Sequence, residues 1–258
     1  GFAFAALKSD GSVVTWGDSG YGGNSSAVAS NLASGVSQMC STAYAFAALK
    51  SDGSVITWGY GANGGNSSAV ASSLTSGVSQ IYSAGAAFAA LKSDGSVVTW
   101  GDSSSGGNSS AVASSLTSGV SQIYSTGSAF AVLKSDGSVV TWGDSSNGGN
   151  SSAVASSLAS GVSQIYSTAY AFAALKSDGS VITWGDGAKG GNSSAVVSSL
   201  TSGVSRIYST SSAFAALKSD GSVVTWGRKQ QRRRQQRGGQ QPDQRREPDL
   251  RHQLGLCR

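Results

Sequence analysis

Six tryptophans recur along the chain at one fixed interval. They are Trp16, Trp58, Trp100, Trp142, Trp184 and Trp226, and each follows the previous one by 42 residues. A constant period of this size is typical of solenoids, propellers and other arrays, in which each repeated unit packs mainly against its neighbours. The residues around each tryptophan are nearly identical from copy to copy. One analysis of a single unit therefore applies to the whole repeat region.

Each unit contains the pattern of a β-hairpin. In the second unit, two short apolar runs at 46–51 and 54–58 flank Asp52-Gly53. An Asp-Gly pair between such runs predicts a tight turn with both central residues at positive φ. The segment at 78–83 is rich in β-branched and aromatic residues and predicts a further strand, and 67–74 is interpreted as a weak fourth strand.

Short strands joined by glycine-rich connections favour an all-β fold with one propeller blade per unit. Several runs are apolar on both faces, as expected for strands packed between two neighbouring sheets. A parallel β-helix is the alternative, but it does not need a tight hairpin in each coil. The repeats at 1–227 therefore predict a β-propeller of about six blades, open or incompletely closed, because the first blade lacks its first strand and the sixth lacks its last.

The repeat also resembles a known family. The stretch A-L-K-S-D-G-S-V-V-T-W-G, followed by Gly-Gly and then L-x-S-G-V-S-Q-I, resembles the repeat of the regulator of chromosome condensation family. The short spacing is closer to bacterial relatives of the β-lactamase inhibitor protein type II kind. The resemblance implies a β-propeller that binds other proteins through one face, and a nucleotide-exchange role on a GTPase. Tyr44 and Ala45 stand where the family often has a histidine.

The composition changes abruptly after Gly227. Residues 1–227 hold 8 Lys and Arg against 10 Asp, whereas 228–258 hold 10 Lys and Arg against 3 acids. Most of the last segment matches the next repeat translated out of frame: Ser193 and Ser194 then correspond to Gln235 and Gln236, and Leu200 to Pro242. We expect this segment to be disordered, since it has many like charges and few apolar residues. A basic arm that binds nucleic acid is the alternative, and the tail is the one part suited to such a partner.

Residues 1–227 offer little for catalysis. They contain no His and no Glu, so acid–base work would fall to Asp, Lys, Tyr and Ser. One set of aspartates lies in the predicted turns, and a second set, which follows Trp-Gly, is interpreted as loop carboxylates that accept backbone N–H bonds. The sequence predicts no enzyme, no cofactor and no metal site. There is no apolar run long enough to span a membrane and no signal peptide in this chain.

The positions at which the copies differ are the most informative about function. Two short segments vary against a constant background, one after Trp-Gly and one after the strand that ends in Tyr-Ser. Because strand direction alternates in an antiparallel blade, both open on the same face, with the Asp-Gly turns at the other. Variable loops on a constant scaffold are typical of a binding surface, although unconstrained drift would give the same pattern. The predicted partner-binding residues are Asp18, Tyr21, Tyr44, Tyr60, Asn63, Asp102, Asp144, Asn147, Tyr170, Asp186 and Lys189.

These residues favour a non-enzymatic scaffold that binds a protein partner through the variable face. The alternative from another class is a secreted or cell-surface glycan binder that uses Tyr21, Tyr44, Tyr60 and Tyr170. Aromatic side chains serve both purposes, because a flat apolar ring with a polar hydroxyl packs against protein and sugar alike. A pull-down and a glycan array would separate the two.

Overall fold

The computed structural model describes residues 2–228. Within that range the chain forms 17 strands and no α-helix. The strands are β1 (Ala3–Leu7), β2 (Val13–Gly17), β3 (Val36–Ser41), β4 (Ala45–Lys50), β5 (Val55–Gly59), β6 (Val78–Ser83), β7 (Ala87–Lys92), β8 (Val97–Gly101), β9 (Val120–Ser125), β10 (Ala129–Lys134), β11 (Val139–Gly143), β12 (Val162–Ser167), β13 (Ala171–Lys176), β14 (Val181–Gly185), β15 (Val204–Ser209), β16 (Ala213–Lys218) and β17 (Val223–Gly227).

The strands form six separate antiparallel sheets in chain order, one for each unit. The first sheet has two strands, β1 and β2, and each of the other five has three, such as β3-β4-β5 and β6-β7-β8. The expected all-β architecture of about six blades is therefore confirmed, including the missing first strand of the first blade. Tight hairpins in every unit rule out the β-helix, and the arrangement is that of an open propeller. The predicted boundary at 227/228 stays a prediction, because the tail from 229 on lies outside the described residues.

The hairpins exist as predicted, but their turn geometry differs from the expectation. In the second unit the amide of Lys50 donates to the Ser54 carbonyl (2.9 Å) and that of Gly53 to the Lys50 carbonyl (3.0 Å). Gly53 has φ of +79°, and no residue other than glycine among those described has positive φ. The connection is thus a three-residue loop in which only the glycine is left-handed. The prediction of positive φ at Asp52 was wrong, because the aspartate caps the turn instead: its Oδ1 accepts from the Ser54 amide at 2.9 Å.

The predicted fourth strand was also wrong. Its place is taken by 3-10 segments, which in the second unit run from Ser68 to Leu74. The Asn66 side chain accepts from the Ser68 amide (2.9 Å), and the Ser67 carbonyl accepts from the Val70 amide (3.0 Å). These local bonds compete with strand pairing. The segments of this type are Ser26–Val28, Ser68–Leu74, Ser110–Leu116, Ser152–Val154 and Ser194–Ser199.

The core lies between successive sheets. In one representative cluster, Ala87, Ala89 and Leu91 of β7 pack against Phe130 and Trp142 of the next sheet. Small side chains on one sheet thus face large rings on the other, which fills the space without strain. The same arrangement recurs along the chain. The central strands of the third to fifth sheets are therefore buried on both faces, as the sequence predicted for such apolar runs.

The tryptophans that recur in the second to sixth units join each of these units to the one before it. The Trp100 indole Nε1–H donates to the Gly64 carbonyl of the preceding unit at 3.1 Å, and the ring stacks on Phe88 at 5.2 Å between centroids. The same hydrogen bond is made by Trp58, Trp142, Trp184 and Trp226, each reaching back 36 residues. The interpretation of these tryptophans as blade-packing residues is confirmed.

Candidate functional site

The two variable segments of each unit meet at one end of the sheets. We call the four residues after Trp-Gly the Trp-Gly loop and the three residues after the first strand the first-strand loop. Their shared surface is called the variable-loop face. In the second unit these loops are 60–63 and 42–44, and they are joined by two hydrogen bonds: from the Tyr60 amide to the Tyr44 carbonyl (2.9 Å) and from the Thr42 hydroxyl to the Asn63 carbonyl (3.1 Å).

The same two contacts recur in other units, so the face has a constant backbone. The Asp144 amide donates to the Ser128 carbonyl (2.9 Å) and the Thr126 hydroxyl to the Asn147 carbonyl (3.0 Å). Consecutive first-strand loops are also linked, because the Gly85 amide donates to the Gly127 carbonyl at 2.6 Å. Side chains can therefore vary on this face while the backbone that carries them stays fixed.

The Trp-Gly loop is held down by a glycine that no other residue could replace without strain. Gly64 has φ of +101° and is buried, and a Cβ added there would lie 2.5 Å from the Phe88 ring. The neighbouring loop residues, Gly61–Asn63, form one turn of 3-10 helix. The loop is thus clamped onto the core of the next unit, and only its outward side chains are free to differ.

The four loop aspartates act mainly as caps of these 3-10 turns. Asp18, Asp102, Asp144 and Asp186 each accept a backbone N–H from a residue of their own loop. The Ser104 hydroxyl lowers the pKa of Asp102, and the Ser146 hydroxyl lowers that of Asp144, so both carboxylates are ionised at neutral pH. The interpretation of these aspartates as loop carboxylates that accept backbone bonds is confirmed; whether they contact a partner stays a prediction.

Three of the predicted tyrosines form one aromatic cluster. The Tyr21 ring lies 5.2 Å from that of Tyr44 and 6.4 Å from that of Tyr60, measured between centroids. Phe2 joins them, with its ring 5.2 Å from Tyr21. Tyr60 is 50% exposed, and Tyr21 and Tyr44 are half-buried. We call these four residues the aromatic cluster, which spans the first two units on the variable-loop face.

A second group forms in the fifth unit. The Lys189 ammonium lies 3.3 Å from the centroid of the Tyr170 ring and 3.7 Å from a carboxylate oxygen of Asp186. These three predicted residues therefore come together, whereas Asp102, Asp144 and Asn147 lie in other units with no aromatic partner in the described residues. Phe2 was missed by the sequence analysis, although its position 42 residues before Tyr44 marks it as the equivalent residue.

The geometry offers little to a chemical reaction. An open groove of about 650 Å³ between the second and third units is lined by residues such as Asn66, Thr99 and Asn108, and no acid, lysine or histidine lines it. Burial raises the pKa of Tyr124 to about 12, so its phenol stays protonated at neutral pH. Among residues 2–228 no three His, Cys, Asp or Glu side chains are grouped as metal ligands would be. No helix in that range is long and apolar enough to cross a membrane.

Comparison with known proteins identifies similar folds only. No family model and no curated protein matches the chain. Solved structures similar to it include Prp20p from Saccharomyces cerevisiae, at 15% identity and a TM-score of 0.49 over 88% of this chain and 70% of that one. The ectodomain of the receptor kinase CR4 from Physcomitrella patens (16%, 0.46, 87% of this chain) and human WBSCR16 (20%, 0.46, 74%) are similar too. The chain spans 59% and 61% of those two proteins' lengths.

Prp20p is also described as yeast RCC1, the family that the sequence of each unit resembles. The identities of these three structures are 20% or less, and their TM-scores are below 0.5. The described part of the chain, residues 2–228, is a succession of six short antiparallel sheets, one for each unit.

Proposed function

We propose that this protein is a non-enzymatic scaffold that binds a protein partner through the variable-loop face. The observation that carries the proposal is the aromatic cluster of Phe2, Tyr21, Tyr44 and Tyr60, which lies on the face where the copies differ. Tyrosines are enriched in protein interfaces, because they supply a large contact area and a hydroxyl at a small cost in side-chain entropy.

The rigid backbone of the face supports the same proposal. Both loops of the second unit are held by hydrogen bonds to each other, and Gly64 fixes the Trp-Gly loop on the core. A partner would therefore meet side chains that are already positioned, which lowers the entropy lost on binding. The same rigidity explains how neighbouring units can carry different side chains without a change in fold.

A matched set of variants tests which face binds. Tyr21→Ser combined with Tyr60→Ser should abolish capture of partners by the immobilised protein. Asp94→Asn combined with Asp136→Asn should not, because it changes only the Asp-Gly turns at the opposite end of the sheets. Captured proteins are identified by mass spectrometry, and each is then purified and titrated by calorimetry. Binding lost in the Asp-Gly variant and kept in the tyrosine variant would refute the chosen face.

Glycan binding is the second candidate, favoured by the exposed ring of Tyr60 beside Tyr21. Sugar rings stack on such surfaces through their apolar C–H faces. A glycan array with the unmodified chain and the two double variants decides between the two. Saturable binding of one glycan by the unmodified chain, lost in the tyrosine variant and without any protein partner, would replace the scaffold proposal.

A further inference from the structure

The fifth unit already shows one tyrosine of the variable-loop face bound to a cation. The Lys189 ammonium lies 3.3 Å from the centroid of the Tyr170 ring, with the Asp186 carboxylate 3.7 Å from the same nitrogen. A cation over the face of an aromatic ring is attracted by the negative charge of the π system. The protein therefore contains its own example of how this face holds a basic side chain.

The second unit has the same backbone frame but no such lysine. Tyr44 occupies the position of Tyr170, and Asn63 that of Lys189. The frames match closely: the hydroxyl of Thr42 donates to the Asn63 carbonyl at 3.1 Å, as that of Thr168 donates to the Lys189 carbonyl at 3.3 Å. Among the described residues, no lysine or arginine lies over the Tyr44 ring. The ring that binds an internal cation in one unit is thus left without one in the other.

The surroundings of Tyr44 differ from those of Tyr170 in having more aromatic area and no carboxylate from the same loop. Tyr21 lies beside Tyr44, and Tyr60 takes the place of Asp186. Further aromatic faces exclude water around a bound ammonium or guanidinium, which strengthens the cation–π attraction. Because Asn63 stands at the position of Lys189, a cation at Tyr44 has to come from outside the unit.

The charge of the face has the matching sign. Within residues 2–228 the Trp-Gly loops carry four carboxylates, Asp18, Asp102, Asp144 and Asp186, and two cations, Lys189 and Arg228. The other lysines of residues 2–228 precede the Asp-Gly turns at the opposite end of the sheets. Four carboxylates against two cations leave these loops with an excess of negative charge, which favours a basic partner segment.

We propose that the aromatic cluster is a recognition site for a lysine or arginine side chain of a basic partner segment, bound on Tyr44 as Lys189 is bound on Tyr170. The proposal rests on the function proposed above and names the chemistry of its partner. The partner segment is rich in Lys or Arg. One of these side chains lies among Tyr21, Tyr44 and Tyr60, and the other basic side chains of the segment face the loop aspartates.

The first test uses a labelled peptide of alternating Lys and Ser and its fully acetylated form, titrated against the whole chain by fluorescence anisotropy. Acetylation removes the charge and keeps the length, so we expect only the free peptide to bind. Tyr44→Ala should weaken binding about three- to thirtyfold, the range that cation–π contacts cover, whereas Tyr44→Phe should keep it. The basic segment 228–258 is present in every variant, so any competition from it is common to all.

The second test places a lysine of the chain itself beside Tyr44. Asn63→Lys recreates the pair of the fifth unit and should block the free peptide. Asn147→Lys adds the same charge at the equivalent position of the fourth unit, where Ser128 replaces the tyrosine, and should have a much smaller effect.

If Asn63→Lys and Asn147→Lys weakened peptide binding equally, the added charge alone would explain the loss. That result would overturn the proposed Tyr44 site. Equal binding of free and acetylated peptide would overturn the recognition of a cation. Either result leaves the scaffold function standing if a neutral or acidic protein still binds in a tyrosine-dependent way.

Discussion

At the scale of single residues, the tryptophan that recurs in each unit makes two contacts. Its ring stacks on a phenylalanine of its own sheet, and its indole N–H satisfies a carbonyl of the preceding unit, as Trp142 does for Gly106 at 2.9 Å. A buried carbonyl without a donor costs far more than a hydrogen bond gains, so this polar contact constrains which side chain can serve here. The period of 42 residues thus reflects a requirement of the interface between units.

Replacing one buried tryptophan tests this requirement. Trp142→Phe keeps an aromatic ring but leaves the Gly106 carbonyl without its donor, and it should lower the free energy of unfolding by about 1–3 kcal/mol. Trp16→Phe is the matched control, because Trp16 is 50% exposed and should cost less than about 0.5 kcal/mol. Urea unfolding followed by circular dichroism measures both. Equal losses in the two variants would show that the indole hydrogen bond is not the stabilising contact.

The aspartates of the Asp-Gly turns make stability depend on pH. Hydrogen bonds from the hydroxyl and amide of Ser12 lower the pKa of Asp10 from 3.8 to about 2, and the equivalent aspartates shift in the same direction. A carboxylate whose pKa is lower in the folded state stabilises fully above the unfolded pKa and loses this effect as pH falls through the folded one. The urea concentration at the midpoint of unfolding should therefore decrease as the pH is lowered from 4 to 2.

Asparagine substitution isolates this effect. Replacing Asp52, Asp94 and Asp136 together by Asn keeps an oxygen that accepts the turn amide and removes the titrating group. We expect the loss of stability between pH 4 and pH 2 to become smaller in this variant. An unchanged pH profile would assign the acid sensitivity to other carboxylates.

At the scale of elements, the hairpin turn depends on its glycine for two separable reasons. Gly137 has φ of +77°, and a Cβ there would lie 2.9 Å from the Gly161 amide of the adjoining segment. Gly221 has φ of +85° but no neighbour within 4 Å of such a Cβ. Gly221→Ala should therefore lower the free energy of unfolding by about 1 kcal/mol, the cost of placing alanine in the left-handed conformation. Gly137→Ala should lower it further, because its Cβ also meets the adjoining segment. Thermal unfolding of the two variants gives the difference, and equal costs would show that the close approach relaxes freely.

How far the sequence predicts the elements depends on which interactions decide them. The hairpin at Asp52-Gly53 is local, so its existence follows from residues next to each other, although the aspartate's capping role changed the turn geometry. The region at 67–74 was harder, because Val70 and Leu74 suit a strand while Asn66 and Ser67 bond their own backbone. The aromatic cluster needs contacts between units, and no pattern within one unit shows that Tyr21 reaches Tyr44 and Tyr60.

At the scale of the whole molecule, the first sheet presents an apolar face that every later sheet buries. Phe4 and Trp16 are 48% and 50% exposed, whereas Phe88 and Trp100 at the same positions of the third unit are 0% and 4% exposed. At the other end, Val223 is 60% exposed. Within residues 2–228 the two exposed faces correspond to the two sides of the interface between neighbouring units, so we expect them to pack together when two such segments meet head to tail.

We expect this fit to cause association at high concentration. Val14→Thr combined with Trp16→Ser should reduce the average mass measured by light scattering, because it removes apolar area from the first sheet's outer face. Val197→Thr is the control, since Val197 is 56% exposed on a 3-10 segment rather than on a sheet face. A mass that is low and constant in the unmodified chain would contradict the expected association.

The backbone bonds between first-strand loops have a mechanical consequence. Ala43 donates to Gly85, Gly85 to Gly127, and Gly127 to Ala169, so among residues 2–228 these bonds join each unit to the next one along the chain. When the two ends of one molecule are pulled apart, the units should detach one after another, beginning at an end. Each detachment releases 42 residues, which extend by about 140–150 Å when fully stretched. A force–extension record should therefore show evenly spaced peaks, and the spacing would measure the repeat in a single molecule.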